Sequence, residues 1–348
     1  MTDALILGDG IIGLASALAI ARSGGSCRIV GRNVPGSASV ASAGLLAPSI
    51  GAAEPDIREF MIASRDRYPS WMHWLAERTG IEVTLNRLGI IELDGGQADR
   101  APTPTADRLD STTLHALEPA LAPGRATLHR DDGFVDNVRL LAALREAVRC
   151  EWSIEVVDGR AAKIEAGAGG CSVMTEDGRT QHGECVVVAA GAWSALIVGA
   201  PRSVPVEPVR GQMLQLLGCP LSHAVSTPDA YLVPRGEFTL VGSTLERVGY
   251  DNTTTPGALA HLRASAASSV PSLASAEVES TWAGLRPMTP DGLPVIGRDP
   301  DVENVLYACG HGKNGILLAP LTAECVAALV GDVRPPMDLS RFGVERFD

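Results

Sequence analysis

The chain has 348 residues, of which 45% are hydrophobic and 20% charged, a composition typical of a globular protein with a sizeable buried core. Its formal net charge of -12, without any basic run, argues against a general nucleic-acid binder, because phosphate contacts require clustered Lys and Arg. The seven cysteines include no Cys-x-x-Cys pair, which favours free thiols in a reducing cytoplasm and gives almost no support to a metal site.

The apolar segment 4–21 has the position and length of a signal sequence. Asp3 flanks it and Asp9 interrupts it, and its glycines follow the spacing of a nucleotide loop, so we reject the signal interpretation. We expect no other segment to reach the length needed to cross a bilayer, and therefore no membrane span.

The predicted elements alternate between two types of sheet. In chain order, the sequence first predicts a strand at 4–7, a helix at 11–23, a strand from 28, a Gly-, Ser- and Ala-rich loop at 34–47 and one amphipathic helix at 57–78. Strands at 83–85 and 89–93, a mobile loop at 95–113 and helices at 114–121 and 138–149 follow, and then strands at 153–157, 161–165, 172–175, 184–190, 212–217, 230–234 and 238–243. The last predicted elements are a helix at 256–269, a strand at 305–308, a loop at 309–314 and a final helix ending at 330. The βαβ start and the apolar strands near 185 and 305 are typical of a parallel sheet, whereas the strands within 81–134 and 205–285 are typical of an antiparallel one.

We therefore predict an α/β fold, with a Rossmann-like nucleotide domain and an interleaved antiparallel-sheet substrate domain. The predicted segments of the nucleotide domain are 1–80, 135–205 and 286–348, and those of the substrate domain are 81–134 and 206–285.

A dinucleotide loop is indicated by Gly8-Asp9-Gly10-Ile11-Ile12-Gly13, which follows the first strand and opens the first helix. Its first glycine allows a tight turn, the second lets the backbone approach a pyrophosphate, and the third lets helix and strand pack closely. The helix N-terminus then faces the anion with free N–H groups and the positive end of its dipole.

The second strand departs from this pattern, because Gly31 stands where an acid normally bonds the ribose hydroxyls. The motif could be a coincidental match. Alternatively, Arg32 could stack on an adenine or contact a phosphate of a flavin nucleotide, or it could accommodate the 2′-phosphate of NADP. The loop alone leaves these interpretations open.

Further motifs occur along nearly the whole chain. They are Ala41–Pro48, Asp132–Asp136, Val186–Ser194, Pro208–Met213, Tyr231–Arg235, Gly242–Glu246, Trp282–Gly297 and Gly310–Pro320. With the loop at 8–13, they resemble in order the glycine oxidase and D-amino-acid oxidase family, and most closely its thiamine-pathway glycine oxidases. The resemblance implies a cytoplasmic enzyme that uses FAD rather than NADP.

The resemblance also implies which residues bind FAD. They are Gly8, Asp9, Gly10, Ile11, Ile12, Gly13, Arg32, Ser42, Ala43, Gly44, Leu45, Ala190, Gly191, Trp193, Gly310, His311, Gly312, Lys313, Asn314, Gly315 and Ile316. Gly31 then puts one ribose contact in doubt, not the cofactor. FAD is expected to be non-covalent, because Gly284 falls near the place where similar sarcosine oxidases carry the attaching cysteine, and Cys309 is the nearby alternative.

The catalytic residues implied by the resemblance are Arg286, Tyr231 and Lys313. Arg286 matches the family position that grips a substrate carboxylate, and the Tyr231 hydroxyl matches a neighbouring position. Hydride transfer from the Cα of a neutral amine to flavin N5 would give an imine, and dioxygen would be reduced to hydrogen peroxide. Lys313 is one of only two lysines, at a place where similar enzymes often carry Arg. It could assist the reaction with dioxygen, enlarge the pocket, or be a neutral exchange.

Two other functions are compatible with the sequence. One is a dehydrogenase that passes electrons to a carrier, and the other is a catalytically silent flavin subunit. Glycine, sarcosine, small D-amino acids and D-proline all suit a carboxylate clamp, and a homo-oligomer is expected by resemblance alone.

Overall fold

The computed structural model describes residues 2–50, 55–94, 105–167 and 169–348. Its helices in these residues are α1 (Ile11–Arg22), α2 (Ala38–Ala41), α3 (Pro55–Arg65), α4 (Tyr68–Thr79), α5 (Ser111–Leu117), α6 (Asn137–Arg149), α7 (Pro256–Ser269) and α8 (Gly315–Val330). Its strands are β1 (Thr2–Leu7), β2 (Cys27–Gly31), β3 (Leu45–Leu46), β4 (Leu85–Asn86), β5 (Ile90–Leu93), β6 (Ala106–Leu109), β7 (Ala126–His129), β8 (Gly133–Val135), β9 (Ile154–Asp158), β10 (Ala161–Gly167), β11 (Gly170–Thr175), β12 (Thr180–Val188), β13 (Glu207–Leu217), β14 (Ala224–Ser226), β15 (Tyr231–Arg235), β16 (Phe238–Gly242), β17 (Val278–Met288), β18 (Val295–Arg298) and β19 (Val305–Cys309).

The first sheet has a parallel centre covered on both faces. Its order is β10-β11-β12-β1-β2-β9, with β19 added beside β12 and β18 beside β19. β1 pairs in parallel with β12 and β2, and β12 pairs in parallel with β19. Alternate side chains of β1 enter different cores, since Ile6 packs with the helices α1 and α8 whereas Leu5 packs with β10 and β11. Burial on both faces explains why these strands are continuously apolar.

The second sheet has the order β17-β13-β16-β15-β14-β5-β7-β6 and is antiparallel except for the β14–β5 pair. Helix α7 packs against β13 and β16. A small third sheet, β3-β8-β4, joins segments near both larger sheets. The strands of the first sheet come from three separate parts of the chain and those of the second from two, which is the interleaving expected from the sequence. The segment boundaries remain a prediction, and β17 runs past residue 285 to Met288.

Some predicted elements differ from the structure. The single helix predicted at 57–78 is divided into α3 and α4, and the loop predicted at 34–47 contains α2 and β3. Of the mobile loop predicted at 95–113, residues 95–104 lie outside the described residues, and the remainder includes β6 and the start of α5.

The expectation that no second segment reaches membrane-spanning length is wrong. Gly312–Val330 is long and apolar enough, but 61% of it is buried inside the protein. Helix α8 packs against α1 and α3, so its apolar composition is accounted for by its place in the core.

Candidate active site

A cavity of about 980 Å³ lies where the first and second sheets meet. It is lined by the loop after β1, the segment around α2, the residues after β12, the turn before α8, and parts of β13, β15 and β17. Of the residues predicted from the sequence to bind cofactor or substrate, all except Gly13 line this cavity. Gly13 serves close packing instead, because a Cβ there would lie 2.0 Å from the carbonyl oxygen of Gly8.

The loop after β1 is shaped by close backbone packing. Gly8 has φ +117°, and a Cβ there would lie 2.4 Å from the carbonyl oxygen of Ala189. Helix α1 begins at Ile11, whose N–H donates to Oγ of Ser39 at 3.1 Å, and its first turn carries no acid. The positive end of this helix therefore faces the cavity, as an anion such as a pyrophosphate requires.

A second helix N-terminus meets the cavity at the start of α8. Strand β19 ends at Cys309, residues Gly312–Asn314 form a 3-10 turn, and Asn314 gives α8 no side-chain cap. His311 is buried, and its Nε2 lies 3.1 Å from Oγ1 of Thr322 on α8. Burial lowers the pKa of His311 to about 3, so the ring is neutral and ties the turn to the helix.

The segment around α2 is held against the cavity by side chains from other elements. Trp282 donates from Nε1 to the carbonyl oxygen of Ala41 at 2.9 Å, and Arg235 donates to that of Ala43 at 3.0 Å. Arg235 also pairs with Asp136 at 2.9 Å. Trp282, Arg235 and Asp136 lie in motifs that the sequence shows, but their positioning role follows from the structure alone.

Arg286 occupies the part of the cavity formed by the second sheet. Its guanidinium lies over Gly211, where a Cβ would be 2.2 Å from Nη2. Nη1 donates to the carbonyl oxygen of Thr244 at 3.0 Å, and Nη2 donates to the hydroxyl of Ser243. Among the residues the structure describes, no carboxylate forms an ion pair with Arg286, so its charge faces only neutral oxygens.

The other two predicted catalytic residues line the same cavity. The Tyr231 hydroxyl lies 3.2 Å from Sδ of Met213, a weak acceptor. Lys313 is exposed and has no ion pair within the described ranges. The structure thus brings Arg286, Tyr231 and Lys313 to one cavity. It adds four wall residues for which no role was predicted: Gly211, Met213, Ser243 and Thr244.

At the opposite part of the cavity, Arg32 is held by a carboxylate of the neighbouring strand. It is exposed and forms an ion pair with Asp158 at the end of β9, with a distance of 3.1 Å from Nη2 to Oδ2. Gly31 ends the neighbouring strand, and a Cβ there would lie 2.6 Å from Cβ of Asp9.

A model of the family described as FAD dependent oxidoreductase matches residues 3–329. The chain belongs to that family. It is 32% identical over 366 residues to a glycine oxidase of Geobacillus kaustophilus, covering 99% of this chain and 97% of that protein. It is also 33% identical over 361 residues to a bifunctional ThiO/ThiG protein of a Synechocystis strain; the match covers 99% of this chain, which spans about half (54%) of that protein's length.

The solved structure of the Geobacillus kaustophilus glycine oxidase superimposes with a TM-score of 0.90 at 30% identity, covering 99% of this chain and 98% of that one. The predicted family, the predicted fold class, the FAD cofactor and the prediction of an enzyme are confirmed. The residues present fit the cofactor, since the N-termini of α1 and α8, whose first turns carry no acid, and the Gly8 turn line one large cavity. The NADP interpretation is therefore wrong.

Proposed function

We propose that this FAD-dependent enzyme oxidises a small amino acid, with glycine as the first candidate, and delivers the electrons to dioxygen. The observation that carries the proposal is the Arg286 guanidinium in the cavity wall, which pairs with no carboxylate in the part of the chain that the structure describes. A buried or half-buried cation without a protein counter-ion is costly unless a ligand supplies the negative charge. The carboxylate of an amino acid matches a guanidinium through two parallel hydrogen bonds.

The residues around Arg286 fix the position of that carboxylate. Ser243 and the carbonyl oxygen of Thr244 hold the guanidinium from one side, and Gly211 lies beneath it. The Tyr231 hydroxyl lies against the Met213 sulfur, a weak acceptor, and can donate to the same carboxylate. Fixing the carboxylate orients the substrate Cα, and such orientation accounts for a large part of the rate of this kind of reaction.

Bound FAD supplies the acceptor for the hydride that leaves the substrate Cα, and the imine product hydrolyses to an oxo acid and ammonia. The protein contributes the positive potential of the α8 N-terminus and of Lys313 beside the cavity. The substrate amine reacts in its neutral form, because its lone pair forms the C=N bond as the hydride leaves Cα, and no side-chain base is needed to remove a Cα proton. Dioxygen takes the electrons and becomes hydrogen peroxide.

Non-covalent binding of FAD is part of the proposal. Cys309 lines the cavity and is buried. Burial raises the pKa of its thiol to about 12, so the thiol is protonated at neutral pH and a poor nucleophile. We also propose a place in the thiamine pathway, a cytoplasmic location and a homo-oligomeric state. These three proposals rest only on the relatives and on the resemblance.

The test is an anaerobic panel of glycine, sarcosine and small D- and L-amino acids, followed by bleaching of the flavin absorbance. Glycine is expected to bleach the flavin, and readmitted air to restore the colour with formation of hydrogen peroxide. Arg286→Met is expected to raise the substrate concentration for half-bleaching by about a hundredfold, the loss of one charge-assisted clamp. Arg149→Met is the matched control, since Arg149 pairs with Glu146 on the exposed surface of α6.

Bleaching by amines without a carboxylate, with equal efficiency in the Arg286 variant, would contradict the amino-acid assignment. Normal bleaching without peroxide formation would favour the dehydrogenase. A flavin that no member of the panel bleaches would favour the silent subunit.

A further inference from the structure

Strand β2 ends without the side chain that dinucleotide-binding folds use to hold the adenosine ribose. In these folds an Asp or Glu at the end of the second strand accepts hydrogen bonds from the ribose hydroxyls. Here the strand ends at Gly31, which lines the cavity and has no side chain to accept such a bond.

The Asp9 side chain fills the position next to Gly31. A Cβ built on Gly31 would lie 2.6 Å from Cβ and 3.0 Å from Cγ of Asp9. The Asp9 side chain therefore occupies the place from which an acid at position 31 would extend. The two positions exclude each other sterically, so an acid can stand at one of them only if the other is small.

The Asp9 carboxylate is free to accept a ligand. It lines the cavity and is half-buried. Within the described residues it forms no ion pair and no hydrogen bond to another side chain. Burial raises the pKa of Asp9 above its ordinary value, while Arg145 acts in the opposite direction. The carboxylate also accepts a hydrogen bond from its own backbone N–H, which leaves further acceptor positions for a ligand that brings hydroxyl donors.

The neighbouring acids are already engaged. Asp158 pairs in register with Gly31, but two hydrogen bonds from Arg32 hold it, and its side chain is 74% exposed. Glu176 lines the cavity and is paired with Arg160 at 3.3 Å.

We propose that Asp9 supplies the carboxylate that binds the adenosine ribose hydroxyls of FAD, so that the acid of the second strand has moved into the glycine loop. This inference rests on the FAD cofactor and not on the proposed substrate. A failed amino-acid assay would leave it intact.

The experiment measures the affinity of the FAD-free protein for FAD and for FMN, which lacks the adenosine half, by quenching of flavin fluorescence. Asp9→Ala and Asp9→Asn are expected to weaken FAD binding at least about tenfold, the value of a hydrogen bond to a charged group. FMN binding should stay unchanged in both variants. Glu155→Gln is the matched control, because it removes a carboxylate of the same sheet that pairs with Arg28 outside the cavity, and its FAD affinity should equal that of the unmodified protein.

A swapped variant keeps the test independent of folding defects. Gly31→Glu alone places a side chain against Asp9 and should weaken FAD binding. The double variant Asp9→Gly with Gly31→Glu should bring the affinity back to within about threefold of the unmodified protein, because the acid then stands at the end of β2. FAD binding that is unchanged or tighter in Asp9→Asn would overturn the proposal. So would an equal loss of FAD and FMN affinity, or a double variant no better than Gly31→Glu.

Discussion

The position of the Arg286 guanidinium depends on the absence of a side chain at residue 211. A Cβ at that position would lie 2.2 Å from Nη2 and 2.4 Å from Nη1 of Arg286. Gly211→Ala is therefore expected to displace the guanidinium and raise the substrate KM about tenfold or more, with little change in FAD affinity. Steady-state kinetics and an FAD titration of the same preparation measure both quantities.

The matched control is Gly257→Ala at the start of α7, where a Cβ would meet no atom within 4 Å. It should leave the kinetics unchanged. An unchanged KM in Gly211→Ala would mean that the guanidinium does not hold the substrate from this position.

Lys313 places a positive charge at the cavity that no described residue neutralises. Dioxygen gains negative charge as it accepts electrons, and a nearby cation stabilises that charge. Lys313→Met is therefore expected to slow flavin reoxidation by about tenfold, roughly 1.4 kcal/mol, and Lys313→Arg to retain most of the rate. Separate reductive and oxidative half-reactions in a stopped-flow instrument measure the effect. Oxidative rates in both variants that equal the rate of the unmodified protein would reduce Lys313 to a neutral exchange.

The roles of residues that occupy a family motif position could be predicted from the sequence. The roles of residues that act by contacting a side chain far away in the sequence could not. Arg286 and Tyr231 were assigned from motif positions, and both line the cavity. Gly211 and Ser243 lie in quoted motifs, but their contacts with Arg286 join β17 to β13 and to the residue after β16. Strand pairing at such sequence separation is not encoded in local spacing.

At the scale of elements, the free energy of unfolding should depend on pH through His311 at the start of α8. The pKa of buried His311 is lowered from 6.5 to about 3 in the folded protein. Below pH 6.5, His311 therefore binds a proton in the unfolded chain but not in the folded one. The stability that neutral His311 contributes is fully present above pH 6.5 and is lost progressively as the pH falls towards 3. The expected loss in unfolding free energy is about 2 kcal/mol between pH 7 and pH 5, at about 1.4 kcal/mol for each pH unit.

His311→Gln is the informative variant, because the amide can still bond Thr322 but does not titrate. Urea unfolding at both pH values, with a fixed excess of FAD, should show a smaller pH effect in the variant. The difference between the two proteins isolates His311 from the remaining titrating groups. If both lose the same stability on acidification, His311 is not buried in its neutral form.

The break between α3 and α4 shows where helical periodicity misleads. The apolar spacing over 57–78 continues through the break, and it predicted one helix. Pro69 at the start of α4 has no N–H to donate, and its ring would clash with the carbonyl of residue 65 in a continuous helix. The chain therefore restarts at Tyr68, whose hydroxyl reaches the carbonyl oxygen of Ile316 on α8. The proline was visible in the sequence, whereas the partner on α8 was not.

At the scale of the whole molecule, the cavity is shared by distant parts of the chain. Strand type and order predicted two interleaved sheets, because parallel strands buried on both faces differ in pattern from half-buried antiparallel ones. The place where the sheets meet could not be derived that way. It depends on contacts such as that of Trp282 with Ala41, which joins β17 to α2. A ligand that fills the cavity touches residues of both sheets at once.

FAD should consequently stabilise the fold as a whole and not one segment of it. Binding to the folded state alone adds about 4.1 kcal/mol when free FAD is about a thousandfold above its Kd, which corresponds to a Tm increase of roughly 5–10 °C for a chain of this size. We expect the FAD-free protein to melt lower by this amount in one transition, and its Tm to rise with the logarithm of added FAD. FMN, lacking the adenosine half, should restore less. Two separate transitions, with FAD moving only one, would instead mean that the sheets unfold independently and that the cavity is a contact between two autonomous units.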